Sequence, residues 1–278
     1  MSGYIHCIRF RTPTGYVTSG HGAADSSFPH ANAADLLHPH RPFKSSGAIS
    51  VGNTFYGVDF GSAVQVAGVG IDNINTDVVT IEAASNSSFS SNVISQSIVV
   101  GPNAVERSLY TTSGGVSLGR YKAFINFDGT GFDAQARQYW RLIAGAASLD
   151  AVETKLVIGS VAWCRSLTTW SSGTSGYDEL PLEATRVNDD FAGGGAEPVI
   201  LGNPYAAVTL SASPGDLATM RTPLLALLRE GIGRPFLFYR NDGDTADFYL
   251  CHRAGDVSVK TTAPTTLEFD QFILRSAV

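Results

Sequence analysis

Apolar and polar positions alternate over short stretches along most of the chain, which is the period of a half-buried strand. Phe55 to Phe60 (FYGVDF), Gln65 to Ile71 (QVAGVGI), Asp77 to Ala83 (DVVTIEA), Ile94 to Val100 (ISQSIVV) and Tyr121 to Phe127 (YKAFINF) combine β-branched or aromatic residues in partial alternation. Turn-forming Gly, Asn, Ser and Asp stand between them. Tyr139 to Ala144 (YWRLIA) and Leu156 to Cys164 (LVIGSVAWC) continue the series, with a turn at Gly145 to Asp150. Alternation puts Arg141 on one face with Tyr139 and away from Trp140. Short strands at this spacing predict a sandwich or barrel, because each apolar face must be covered by a second sheet.

The texture changes after Arg165, where SLTTWSSGTSGYDELPLEATRVNDDFAGGGAEP is poor in apolar runs and rich in Gly, Ser and Asp. A linker and the entry to a second domain are placed there. Pro198 to Ser211 (PVILGNPYAAVTLS) reads as strand, with Pro204 at an edge or bulge. Leu217, Met220, Leu224, Leu227 and Leu228 recur at helical spacing between Asp216 as N-cap and Gly231, which predicts a helix near 216–230. Pro223 inside that pattern either kinks the helix or, with Thr222 as cap, starts a shorter one. Pro235 to Tyr239, Ala246 to His252, Val257 to Thr261 and Thr265 to Leu274 return to strand patterns. The expected organisation is an N-terminal arm (1–27), a β-sandwich (28–165) and a smaller β-rich domain with one helix (166–278).

Composition narrows the function classes. Of 278 residues only 16% are charged, the net charge is −6, and Gly, Ser and Thr abound, as in short strands joined by many turns. There is no basic footprint for nucleic acid. No apolar run reaches the ~18 residues of a membrane helix, and the start MSGYIHCIRFRTPTG lacks a leader's apolar region, so a soluble, cytoplasmically made chain without membrane insertion is expected. Cys7, Cys164 and Cys251 are far apart with no CxxC and read as buried thiols.

Candidate chemistry is sparse, and no cofactor is expected. His30, Asp35, His38 and His40 (PHANAADLLHPH) could supply metal ligands, but no second cluster completes a tetrahedral set, so they read as surface loop histidines. Asp242, Asp244 and Asp247 (NDGDTAD) place oxygens at alternate positions like part of a calcium loop without the closing Glu, which reads as a hairpin turn. There is no GxSxG elbow, Cys251 and His252 point to opposite faces of one strand, and Asp189 with Asp190 sits in a Gly-rich loop. No catalytic residue is expected. Among the tryptophans, Trp140 and Trp163 fall inside strands and read as core, whereas Trp170 is the one candidate glycan contact.

Asn32 to Ser46, Phe55 to Ala67, Val69 to Asn75 (VGIDNIN), Gln138 to Ala144 and Lys155 to Ala162, in that order, resemble the discoidin-like, galactose-binding-like β-sandwich. Phe43 stands where that family usually has Trp, Asp59-Phe60-Gly61 fits its D-hydrophobic-G pattern, and Ile158-Gly159 fits its last strand. The resemblance implies a sandwich that binds glycans through loops at one end. Gly173 to Asp178 (GTSGYD), the leucine row at 217–228, Gly233 to Phe238 (GRPFLF) and Thr266 to Leu274 resemble a tail-tip protein of long-tailed bacteriophages, of distal tail or tail-hub type. That resemblance implies a structural, non-enzymatic virion component, assembled in the host cytoplasm as a ring-shaped homo-oligomer. Its partners would be tube, tape-measure, hub and fibre proteins, with host surface glycan as a further one. A free carbohydrate-binding module or adhesin is the alternative. In the known distal tail proteins the ring domain comes first, whereas here the sandwich does.

Overall fold

The computed structural model describes residues 4–36, 38, 41–102, 121–127, 130–150, 152–170, 174–190, 196–216, 235–239, 245, 248–253, 259–263 and 266–276. Its elements are β1 (Tyr4–Cys7), β2 (Gly15–Tyr16), α1 (His30–Ala34), β3 (Phe43–Ala48), β4 (Phe55–Val64), β5 (Gly68–Ile74), β6 (Val78–Ala84), β7 (Ile94–Val99), β8 (Gly101–Pro102) and β9 (Tyr121–Asn126). These are followed by β10 (Arg137–Ala144), β11 (Lys155–Ile158), β12 (Ser160–Cys164), β13 (Thr168–Trp170), β14 (Thr174–Asp190), β15 (Ala196–Asp216), β16 (Phe236–Tyr239), β17 (Phe248–Arg253), β18 (Val259–Ala263) and β19 (Thr266–Ser276). The chain is mainly β, as its alternation predicts. It divides into two compact units, residues 2–170 with 236–249, and residues 171–235 with 250–278.

The larger unit is a β-sandwich. One sheet has the order β2-β4-β10-β6-β7, and the facing layer is made of β12-β5-β9-β8 and the pair β11-β3. Alternation on the first sheet aims Tyr56 and Val58, Val79 and Ile81, and Trp140 and Leu142 inward, all buried. They meet Val69, Ile71, Ile125, Val161 and Trp163 from the facing layer in one core. On the outer face, Arg141 lies over the rings of Phe55 and Phe89 at 5.0 and 4.1 Å, and its Nε and Nη2 donate to Glu82 at 2.9 and 2.6 Å. Arg141 therefore pins the loop after β6 to the sheet, on the face opposite to Trp140.

The two family-like motifs have mechanical causes. Asp59 Oδ1 accepts from the Gly61 N–H at 2.7 Å and from Gln138 Nε2 at 3.0 Å. Gly61 sits at φ +73°, and a Cβ there would stand 2.9 Å from Thr14 Oγ1, so the turn requires glycine. At Gly159 the chain crosses from β11 to β12, its N–H donating to the carbonyls of Asp72 and Asn73 at 3.1 and 3.2 Å. Those carbonyls are turned by a bulge in β5, where the register to β9 shifts between Ile71 and Ile74 and Asn73 adopts φ 55°. Leu156 to Cys164, expected as one strand, is thus two strands in different sheets.

Residues expected as an N-terminal arm supply β1 and β2 to this unit. β1 pairs with β13 and with β16, placing Ile5 opposite both Thr169 and Tyr239. These strands cover the outer face of β5 and β9: a Cβ at Gly70 would meet Leu237 Cδ1 at 2.5 Å, and Phe124 packs on Tyr239 at 4.8 Å. Buried Lys122 donates to the Phe248 carbonyl at 2.9 Å and lies 4.5 Å from the Tyr249 ring centroid.

In the other unit β15 pairs with β14 on one side and β19 on the other, and β18 pairs with β19. β14 occupies sequence expected as linker, because strand pairing uses backbone groups and does not need the apolar runs by which strands were sought. Pro204 falls where the pairing jumps from Tyr205 to Leu201, at a bulge as expected. Apart from Asp216, which ends β15, the helix expected at 216–230 lies outside the described residues.

Candidate functional site

Among the described residues the sequence-derived candidates are not brought together at one place. His30, expected on a surface loop, is 4% exposed in α1. Its Nε2 lies 2.8 Å from the Gly22 carbonyl and its ring stacks on Tyr16 at 5.2 Å beside Phe43 and Tyr56. Burial lowers its pKa, partly offset by the Gly22 hydrogen bond. His38 Nδ1 is 2.7 Å from Asp35 Oδ2, a local pair one turn apart. Among the described residues no three His, Cys, Asp or Glu side chains converge as a metal requires. His40, Asp242, Asp244 and Asp247 lie outside the described residues. Asp189 and Asp190, expected in a Gly-rich loop, end β14, with backbones opposite Glu197 and Ala196. Cys7 and Cys164 are buried, as expected. Trp140 and Trp163 are core residues, while Trp170 has its backbone in β13 opposite Tyr4. Among the described residues no helix is long and apolar enough to cross a membrane.

One end of the sandwich is built differently from its flanks. The connections β3–β4, β5–β6 and β10–β11 and the end of β7 meet there, because Val79 of β6 lies opposite Ala144 of β10 and Val78 opposite Val99. The Gly52 N–H donates to the Ala144 carbonyl and the Ile49 N–H to that of Thr154, at 2.8 and 2.9 Å. Val51, Val99, Leu149 and Val152 are exposed on this end, at 53%, 70%, 44% and 65%. Large aliphatic side chains in such positions are unsatisfied by the protein's own core.

Beside them runs a polar network that fixes four charges. Lys44 Nζ donates to Glu153 Oε2 at 2.9 Å and Lys155 Nζ to Asp25 Oδ2 at 2.7 Å. Lys44 also stands 4.4 Å over the half-buried ring of Phe28. Hydrogen bonding from Lys155, with the Ser27 N–H, lowers the pKa of Asp25, and the same contact raises that of Lys155. Glu153 is pushed up by burial, but the bonds from Lys44 and the Lys155 N–H outweigh this and lower it. At their centre Asn75, fully buried, donates to Ser148 Oγ at 2.8 Å and the Lys155 carbonyl at 2.7 Å, while its Oδ1 accepts from the Val157 N–H at 2.8 Å.

Replacing Asn75 by Ala orphans the Val157 N–H and Lys155 carbonyl. A cost of about 2 kcal/mol is expected in denaturant unfolding, with faster hydrogen exchange in residues 145–154. A change below about 0.5 kcal/mol would show that the loop is held by other contacts.

These residues were not singled out by sequence. Lys44 and Glu153, or Asp25 and Lys155, are far apart along the chain, and their pairing arises only from the β3–β11 register and the Ala24–Ser45 bridge. The one local signal was the polar run within VGIDNIN, read as a family motif.

The fold and this end together define a β-sandwich with a structured loop end. No protein-family model matches the chain, and no curated protein matches it. Solved structures similar to it include a CBM32 module of AlyQ in complex with 4,5-unsaturated mannuronic acid, at 16% identity and TM-score 0.36, covering 57% of this chain and 99% of that one. A fucose-binding module of Streptococcus pneumoniae matches at 14% identity and TM-score 0.35, covering 58% and 95%. Reduced XRCC1, bound to the DNA polymerase β catalytic domain, matches at 14% and 0.37, covering 58% and 99%.

Proposed function

We propose that the chain is a non-catalytic recognition module that binds carbohydrate at the loop end of its sandwich. The observation that supports this is the juxtaposition there of preorganised charges, Lys44 with Glu153 and Lys155 with Asp25, and apolar surface from Phe28 and Val152. A sugar ring presents the matching chemistry: hydroxyls that hydrogen-bond to carboxylate and ammonium groups, and C–H faces that lie on apolar side chains. Trp170 remains a second candidate contact, carried from the sequence.

The test is a glycan array followed by calorimetry on hits. Lys44→Ala and Phe28→Ala are expected to weaken binding about tenfold or more, because each removes one kind of contact. Both side chains are only partly exposed, so the unfolding midpoint of each variant is measured alongside to separate lost binding from lost folding. Loss only with Trp170→Ala would move the sugar away from the loop end, and absence of any glycan ligand would overturn the proposal.

A ring-forming tail-tip role is favoured by a separate observation. β14 and β15 are 17 and 21 residues long, against the usual ~3–10, and β14, last in the sheet order, offers an extended edge to a neighbouring copy. Rings in electron micrographs, or incorporation into tails, would support it. A strict monomer that never joins particles would count against it.

A further inference from the structure

Cys7 and Cys164 are separated by most of the sandwich sequence, yet the fold brings their side chains together. Residues 9–11 zip onto 163–165: the Arg165 N–H donates to the Arg9 carbonyl at 2.8 Å, the Arg11 N–H donates to the Trp163 carbonyl at 2.7 Å, and Phe10 bridges Cys164. Just before this strap, β1 delivers Cys7, whose Sγ lies 3.1 Å from the Arg9 carbonyl. Both thiols are fully buried, and the Arg9 carbonyl that Cys7 Sγ approaches also receives the Arg165 N–H, which sets Cys164 beside Cys7.

We propose that Cys7 and Cys164 are an oxidisable pair whose disulfide locks the N-terminal strand β1 onto β12.

The two sulfurs have unequal surroundings. Burial opposes ionisation of Cys7, but hydrogen bonds from Cys164 and from the backbone at Arg9, Ser166 and Arg165 outweigh it, so its pKa is lowered. Burial, and then the neighbouring Cys7, raise that of Cys164. Cys7 rides on β1, the strand whose opening uncovers it, so it meets the disulfide first, as thiolate, and Cys164 resolves. With a low-molecular-weight disulfide such as oxidised glutathione, the Cys7 thiolate attacks one sulfur and one glutathione thiolate leaves. Cys164 then loses its proton, attacks the Cys7 sulfur of the mixed disulfide and expels the second. Two protein thiols are oxidised and one glutathione disulfide is reduced to two thiols. Because both sulfurs are covered, exchange proceeds through opening of β1, and its rate reports that opening.

The experiment incubates the full chain with oxidised glutathione, blocks remaining thiols, and maps peptides by mass. The expected product links Cys7 to Cys164 with loss of two hydrogens and leaves Cys251 as a thiol. Tm should rise by about 10 °C and fall back with dithiothreitol, since the crosslink closes a long loop. Cys164→Ala should stop at glutathionylated Cys7 without the rise. Thiols that stay unreacted after a day, a linkage to Cys251, or a crosslink that lowers Tm would each overturn the proposal. If the variant does not fold, the peptide map of the unmodified chain decides.

Discussion

Trp140→Ala is expected to lower the stability of the sandwich by about 4 kcal/mol, within the range for buried Trp and Phe truncations. Trp140 sits in β10, between β4 and β6, with no exposed surface. Its ring centroid lies 6.2 Å from Phe127, 5.8 Å from Phe132 and 5.9 Å from Trp163, so three aromatic neighbours lose a partner at once. Its Nε1 donates to the Arg137 carbonyl at 3.0 Å, and truncation removes that bond too. Strands on both sides hold their register through the β10 backbone, so the cavity collapses only partly. Denaturant unfolding should show a lower midpoint with an unchanged slope. Trp140→Phe should cost less, because it keeps most of the ring volume. A loss below about 1 kcal/mol for the alanine variant would mean that β10 is not the core strand the packing makes it.

The strand that carries Trp140 was legible because period-two alternation is a local property. Trp140 and Leu142 inward, with Tyr139 and Arg141 outward, follow from sequence alone once one face is known to be buried. Asp59-Phe60-Gly61 was legible for a similar reason, since the carboxylate bonds an N–H two residues on. Pairings between distant segments were not. Nothing local in Ile5 announces Tyr239 as its neighbour, so β1 looked like an arm and β16 like part of another domain. The same distance hid the Lys44–Glu153 and Asp25–Lys155 pairs and the meeting of Cys7 with Cys164. Composition misled in the other direction at His30, where a histidine-rich stretch suggested an exposed loop. The ring instead completes an aromatic cluster with Tyr16, Phe43 and Tyr56.

Acidification from pH 7 to 4 is expected to remove about 3 kcal/mol through His6 alone. His6 lies on β1 between Ile5 and Cys7, is 2% exposed, and neither ring nitrogen has a hydrogen-bond partner among the described residues. Burial lowers its pKa from 6.5 to about 4, because it strips away the water that would solvate an imidazolium. Above pH 6.5 neither the folded nor the unfolded chain holds this proton, and the full stability is present. Between 6.5 and about 4 only the unfolded chain takes it up, so folding weakens by about 1.4 kcal/mol per pH unit. Below about 4 both states are protonated and the loss levels off. Asp25 and Glu153, with lowered pKa values, also lose stabilising ionisation in acid, so the unmodified chain alone does not isolate His6. His6→Phe keeps an aromatic ring at the position without a titrating group. The difference between the two stability–pH curves should therefore carry the His6 contribution and follow its window. Parallel curves from pH 7 to 4 would show that the folded state opens β1 to water, which would also make Cys7 the more reactive.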